Sequence, residues 1–124
     1  MDLFDDFSAV PAHRPTWAEI KLENLLFNLE QIKKAAGPEA RIMGVVKADA
    51  YGHGAPAVAG RLWQAGVRAF AVATPEEGAQ LRRCGITGEI LVLGYADAAR
   101  IRELRRWRLC QTVTDPAHAR ALAR

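Results

Sequence analysis

Lys47 stands directly after the apolar run Ile42-Met43-Gly44-Val45-Val46 and ahead of Ala48-Asp49-Ala50-Tyr51-Gly52-His53-Gly54. An ammonium group placed where a hydrophobic segment gives way to a loop is costly to bury without a partner. Partial loss of hydration favours the neutral amine, which attacks an aldehyde carbon and forms a Schiff base. Tyr51, four residues on, offers a phenolic O–H donor. Gly52 and Gly54 permit positive φ or the close approach of backbone to a ligand. The plain alternative is a strand-end lysine whose stem lies along apolar surface with its charge in water. The residues alone leave both readings open.

Other chemistries are less well supported. Gly52-x-Gly54 is not a dinucleotide fingerprint, because position 57 is alanine where the third glycine would stand. A phosphate-cradling GxxxxGK loop followed by Ser or Thr does not occur. His13, His53 and His118 are too dispersed to suggest a metal site, and His53 reads as a residue that fixes its own loop. Cys84 and Cys110 lack CxxC spacing and read as two reduced, buried thiols. Arg100, Arg102, Arg105, Arg106 and Arg108 crowd one segment, which a phosphate backbone could engage. Ile101, Leu104 and Trp107 recur there at helical spacing among Asp97 and Glu103, so a solvated helix face is expected and nucleic acid is not.

The elements that must position Lys47 alternate in periodicity. Thr16 to Glu23, TWAEIKLE, alternates as a leading strand, and Asn24 then reads as the cap of a helix with Leu25, Leu26, Leu29 and Ile32 as its stripe. Gly37-Pro38 ends that helix. RIMGVV is a short continuous apolar run, as for a strand covered on both faces. Pro56 opens a helix carrying Val58, Leu62 and Trp63 that stops at Gly66. AFAVA is a second such run. Thr74-Pro75-Glu76-Glu77 follows as an N-cap, a first-turn proline and acidic residues in the first turn, and the helix it opens ends near Gly85. EILVLG, the helix DAARIRELRRW, the strand LCQTVT and the Asp-Pro cap of DPAHARALAR complete the series.

Strands alternating with amphipathic helices over short loops predict a parallel sheet, either doubly wound or a closed barrel. In both, active sites lie at the strands' C-terminal ends, where Lys47 falls. A barrel takes about 250 residues. The 124 residues supply four βα units and a leading strand, so the expectation is an α/β fold forming the truncated first half of a parallel (β/α)8 TIM barrel.

With a net charge of +3, half its residues hydrophobic and a quarter charged, the chain has the composition of one small soluble domain. No apolar run approaches the ~20 residues of a membrane helix, and the acidic start does not resemble a secretory signal. A cytoplasmic protein without membrane partners is expected. Residues 1–13 lack a periodic pattern and read as a flexible leader. Residues 14–124 form the rest.

Three stretches, RPTWAEIKLENLLFNLEQI, MGVVKADAYGHGA and FAVATPEEGAQLRRCGITGEILVLG, resemble the N-terminal region of alanine racemase, from about Arg14 onward. The lysine motif KADAYGHG is the most specific part. The resemblance implies a pyridoxal 5′-phosphate-dependent isomerase that interconverts L- and D-alanine for cell-wall D-alanine biosynthesis. It implies that Lys47 holds the cofactor covalently and serves as one of two proton-transfer bases. Tyr51 would help hold the cofactor near its phosphate, and Leu93 would line the site. The second base would be a tyrosine of another subunit's C-terminal domain. The chain is accordingly expected to be an N-terminal fragment, inactive alone, that self-associates as a homo-oligomer or pairs with a complementary chain. A serine or broad-specificity racemase fragment and a non-catalytic binding or assembly module are the alternatives.

Overall fold

The computed structural model describes residues 17–123. Four parallel strands, β1 (Met43–Val45), β2 (Ala69–Val72), β3 (Glu89–Val92) and β4 (Cys110–Gln111), lie side by side in chain order. Gly44 pairs with Phe70, Phe70 with Ile90, and Val92 with Gln111. Helices α1 (Leu22–Ala36), α2 (Lys47–Gly52), α3 (Ala55–Gln64), α4 (Pro75–Arg83), α5 (Ile101–Arg106) and α6 (Pro116–Leu122) precede, connect and follow the strands. Of these, α2 is a single turn of left-handed sense.

The period-2 pleat sorts each strand into two faces. Phe70, Val72, Ile90 and Val92 are fully buried and pack with Leu62 of α3 and Leu81 of α4 in one core. Burying each such side chain contributes about 1.5–3 kcal/mol. Gly44 shares this face, since a methyl group added there would lie 3.1 Å from Leu62 and 3.2 Å from Phe70. On the opposite face Met43 and Val45 are 37% and 46% exposed. Among the described residues the helices pack on the Phe70 face. The other face is exposed at β1, although Ala69 and Ala71 of β2 are buried on it, an uneven cover that suits the wall of a barrel better than a doubly wound sheet. The expectation that RIMGVV is covered on both faces therefore fails for β1, an edge strand among the described residues.

Local signals set most boundaries. Gly37, with φ 87°, closes α1, and its N–H donates to the Lys33 carbonyl at 3.1 Å. Thr74 and Glu77 form a reciprocal capping box at the start of α4, with Pro75 at the first position. Asp115 accepts from the His118 amide at 2.8 Å and caps α6. Asp97 accepts from Ala99 N–H and opens a short 3-10 turn ahead of α5.

The leading strand does not form. Residues 17–21 hold no regular structure, Trp17 is 78% exposed, and α1 begins at Leu22 after Lys21 with no side-chain cap. Asn24 is thus inside the helix, its N–H donating to the Lys21 carbonyl at 3.1 Å. A strand needs a partner to complete its ladder, and no described strand pairs with this segment, whereas Leu22, Leu25 and Leu29 already satisfy the helical period. Cys110 also departs from expectation, lying exposed on β4. The 1–13 leader, His13 and Arg124 fall outside the described residues.

Candidate active site

Because the four strands are parallel, their C-terminal ends share one side of the sheet. Lys47 lies at this side, one residue beyond the buried Val46, whose N–H extends the ladder by donating to the Ala71 carbonyl at 2.9 Å. Lys47 is partly buried, and its Nζ has no hydrogen bond or ion pair among the described residues. Leu93, just past β3, donates its N–H to the Val72 carbonyl at 2.8 Å and leaves its side chain 41% exposed at the same end.

Immediately after Lys47 the backbone turns left-handed. Ala48, Asp49, Ala50 and Tyr51 have φ of 52°, 53°, 52° and 56°, and Gly52 follows at 85°. For L-residues this conformation costs about 1–2 kcal/mol each, because Cβ crowds the next carbonyl oxygen. Such a run persists only where its surroundings hold it, and here they do. The Ala50 amide donates to the Val46 carbonyl at 2.9 Å, and the Gly54 amide to the Asp49 carbonyl at 2.9 Å. Asp49 Oδ1 accepts the Ala55 amide at 2.7 Å, satisfying the first N–H of α3. Ala50 is buried in the core.

A further restraint comes from another unit. Glu77 Oε1 accepts the Ala48 N–H at 2.8 Å, while its Oε2 accepts the Ala73 N–H at 2.6 Å and the Thr74 N–H at 3.3 Å. One carboxylate thus joins the turn after β1 to the loop after β2. Asp49 and Glu77 were not foreseen in these roles. The capping-box spacing of Thr74 and Glu77 is readable, but the reach to Ala48 spans 29 residues.

The turn brings Lys47 and Tyr51 onto one segment, with Tyr51 62% exposed. His53 does fix its loop, Nδ1 donating to the Ala50 carbonyl at 2.9 Å. His118 lies elsewhere on this end. Its buried Nε2 donates to the Ala96 carbonyl at 2.9 Å, its Nδ1 accepts from Thr114 Oγ1 at 3.2 Å, and the Tyr95 ring lies tilted by 40° against it with centroids 4.6 Å apart. No group of three or more metal-ligating side chains occurs among the described residues.

A groove of about 500 Å³ opens beside β1, lined by Val45, Ala50, Tyr51, His53 and Val58 with Ile20 of the leading segment. A second hollow, lined by Lys33, Arg41 and Arg68, lies at the strands' N-terminal ends and is remote from Lys47. In the arginine cluster, Arg100 pairs with Glu76 and Glu103, and Arg106 lies against the Trp107 ring together with Arg83 of α4. The charge on Arg100 is stabilised by its bonds to Glu103 and Glu76, which raise its pKa, and the Glu76 carboxyl is lowered by a backbone N–H and by Arg100. No helix among the described residues is long and apolar enough to cross a membrane.

A family model for the N-terminal domain of alanine racemase matches residues 20–124. A serine/alanine racemase of Enterococcus gallinarum is 50% identical over 99 residues, which are 80% of this chain and 14% of that protein. An alanine racemase of Halothermothrix orenii is 47% identical over 111 residues, 90% of this chain and 29% of that one. Among solved structures, alanine racemase of Clostridium difficile 630 superposes with a TM-score of 0.84 at 43% identity, over 90% of this chain and 30% of that one. The Bacillus anthracis alanine racemase with bound L-Ala-P gives a TM-score of 0.84 at 34% identity. The chain thus spans under a third of the length of these relatives.

Proposed function

The chain belongs to the alanine racemase family, matched at its N-terminal domain, and on that basis we propose that Lys47 and Tyr51 form part of a pyridoxal 5′-phosphate site for the interconversion of L- and D-alanine. The observation that carries this reading is the position of Lys47: a primary amine at the C-terminal end of a parallel strand, without a hydrogen bond or ion pair among the described residues. The residues present fit the cofactor. A free amine suits its aldehyde, and a phenol on the same turn, itself without a hydrogen bond among the described residues, suits its phosphate.

When bound, the cofactor supplies an electron sink that stabilises negative charge at the amino acid's α-carbon. The chain's own part is to hold and to move a proton. Lys47 Nζ would be the covalent attachment point for the cofactor, and as a free amine it would serve as a base toward the α-proton. Tyr51 would donate its O–H to the phosphate and help hold the cofactor. The left-handed turn holds these two side chains on one rigid segment. Racemisation also requires a proton-transfer group on the opposite face of the α-carbon, which we assign to a second subunit. Residues 14–124 serve in this reading as the first part of a (β/α)8 barrel.

Borohydride reduction after incubation with pyridoxal phosphate tests the assignment. The expected result is a visible band that reduction fixes as a single adduct on Lys47 and that Lys47→Ala abolishes. An adduct mapping to another lysine overturns it. The relative named as a serine/alanine racemase favours a second reading, with serine as an additional substrate. Exchange of the α-proton of each amino acid for deuterium separates the two.

A further inference from the structure

The left-handed turn after Lys47 is held by bonds of two kinds. Those from Val46, Asp49 and His53 are local to the turn and to the start of α3. The bond from Ala48 N–H to Glu77 Oε1 is a tertiary one, made by the residue adjacent to Lys47. Ala48 is exposed, so without Glu77 its N–H would turn to water, and the strained φ values of the turn would lose the restraint nearest to Lys47.

We propose that Glu77 is a positioning residue for Lys47. Its carboxylate fixes the left-handed sense of the backbone immediately after Lys47, and with it the direction in which the amine leaves the end of β1. The carboxylate is itself rigidly placed. Oε2 receives the Ala73 and Thr74 N–H groups, and the Glu77 amide donates to Thr74 Oγ1 at 3.3 Å, so Oε1 is presented to Ala48 from a locked side chain. Both oxygens accept N–H groups, which makes a carboxylate the required chemistry. An amide in its place could satisfy one side only, its NH2 facing an N–H on the other. The same residue therefore caps α4 and aims Lys47, and the two roles can be separated. This inference rests on the reading of Lys47 as the cofactor lysine.

The experiment compares the full chain with its Glu77→Gln and Thr74→Ala variants. Thr74→Ala removes the reciprocal bond of the capping box and leaves the Ala48 bond in place, so it reports helix capping alone. Three quantities are read: the unfolding midpoint, the exchange rate and proton resonance of the Ala48 amide, and the rate at which Lys47 is reductively methylated by formaldehyde, mapped by mass spectrometry. Both variants are expected to lower the midpoint. Only Glu77→Gln is expected to shift the Ala48 resonance upfield, to speed its exchange by about tenfold, and to change the Lys47 methylation rate. Glu77→Gln behaving as the parent at Ala48 and Lys47, or Thr74→Ala reproducing its effects there, overturns the proposal. Pyridoxal phosphate trapping on the parent chain is run alongside. Its failure overturns the cofactor reading, while the Ala48 and Lys47 measurements still decide the role of Glu77.

Discussion

The guanidinium of Arg82 donates to the carbonyl oxygen of Arg108 at 2.7 Å, and Arg108 is itself left-handed with φ 51°. The same side chain donates to the carbonyls of Trp107 at 2.8 Å, Ile86 at 2.8 Å and Gly88 at 2.7 Å. One half-buried cation thus gathers the chain leaving α5 and the chain leaving α4, next to the N-terminal ends of β3 and β4.

A lysine has one compact ammonium and cannot serve four acceptors held in this fork geometry. Arg82→Met is expected to cost about 2–4 kcal/mol of stability, with Arg82→Lys recovering a minor part. Urea unfolding at constant m measures both, and Arg82→Lys at parental stability would refute the role.

Gly88 permits an approach that no other residue could. A methyl group built there lies 2.1 Å from the Arg68 carbonyl oxygen and 2.8 Å from Trp63 Cζ3. That carbonyl accepts the Glu89 N–H at 2.9 Å, the bond that sets β3 beside β2. Gly88→Ala is expected to lose about 3 kcal/mol, because backbone must move. A loss near zero in the same denaturation assay would show that the two strands separate there at little cost.

Ala48 has φ 52° and is exposed. Glycine relieves the left-handed penalty and gives back part of the gain as unfolded-chain entropy, so Ala48→Gly is expected to stabilise by about 0.5–1 kcal/mol. Ala57→Gly, inside right-handed α3, is expected to destabilise by about 0.5–1 kcal/mol. Thermal melts of the pair decide, and a fall in midpoint for Ala48→Gly would mean that the turn is relaxed.

Asp115 is held below its ordinary value of 3.8, chiefly by the His118 backbone N–H. A carboxyl whose folded pKa is depressed stabilises above the unfolded value and loses that contribution as pH falls through the folded one. Asparagine caps as well as aspartate but does not titrate. The stability difference between the parent and Asp115→Asn is therefore expected to be constant from neutral pH down to about pH 5 and to move against the parent below pH 3.8. A difference independent of pH would remove Asp115 from the account.

Much of this architecture was legible because its determinants are local. Thr74-Pro75-Glu76-Glu77 and Asp115-Pro116 carry their caps in their own spacing, and Gly37, Gly66 and Gly85 stand where positive φ ends a helix. The position of Lys47 at a strand's end followed from the apolar run before it. What could not be read depends on contacts between distant residues. Ala48, Asp49, Ala50 and Tyr51 have no intrinsic preference for left-handed backbone, so nothing in their types announced the turn. The second oxygen of Glu77 reaches a residue whose proximity exists only once β1 and β2 are paired. The leading TWAEIKLE segment failed for the complementary reason. Its alternation is imperfect, with Trp17, Ile20 and Leu22 out of strict register, and no described strand pairs with it to take its backbone bonds.

For a D-amino acid, the φ values from Ala48 to Tyr51 are the relaxed ones. The segment that presents the lysine is thus, stereochemically, a small enantiomeric insert in an otherwise ordinary polypeptide. A semisynthetic chain carrying D-alanine at position 48 would place the same methyl on the same carbon with its hydrogen and side chain exchanged, and the backbone there would rest in its own energy minimum.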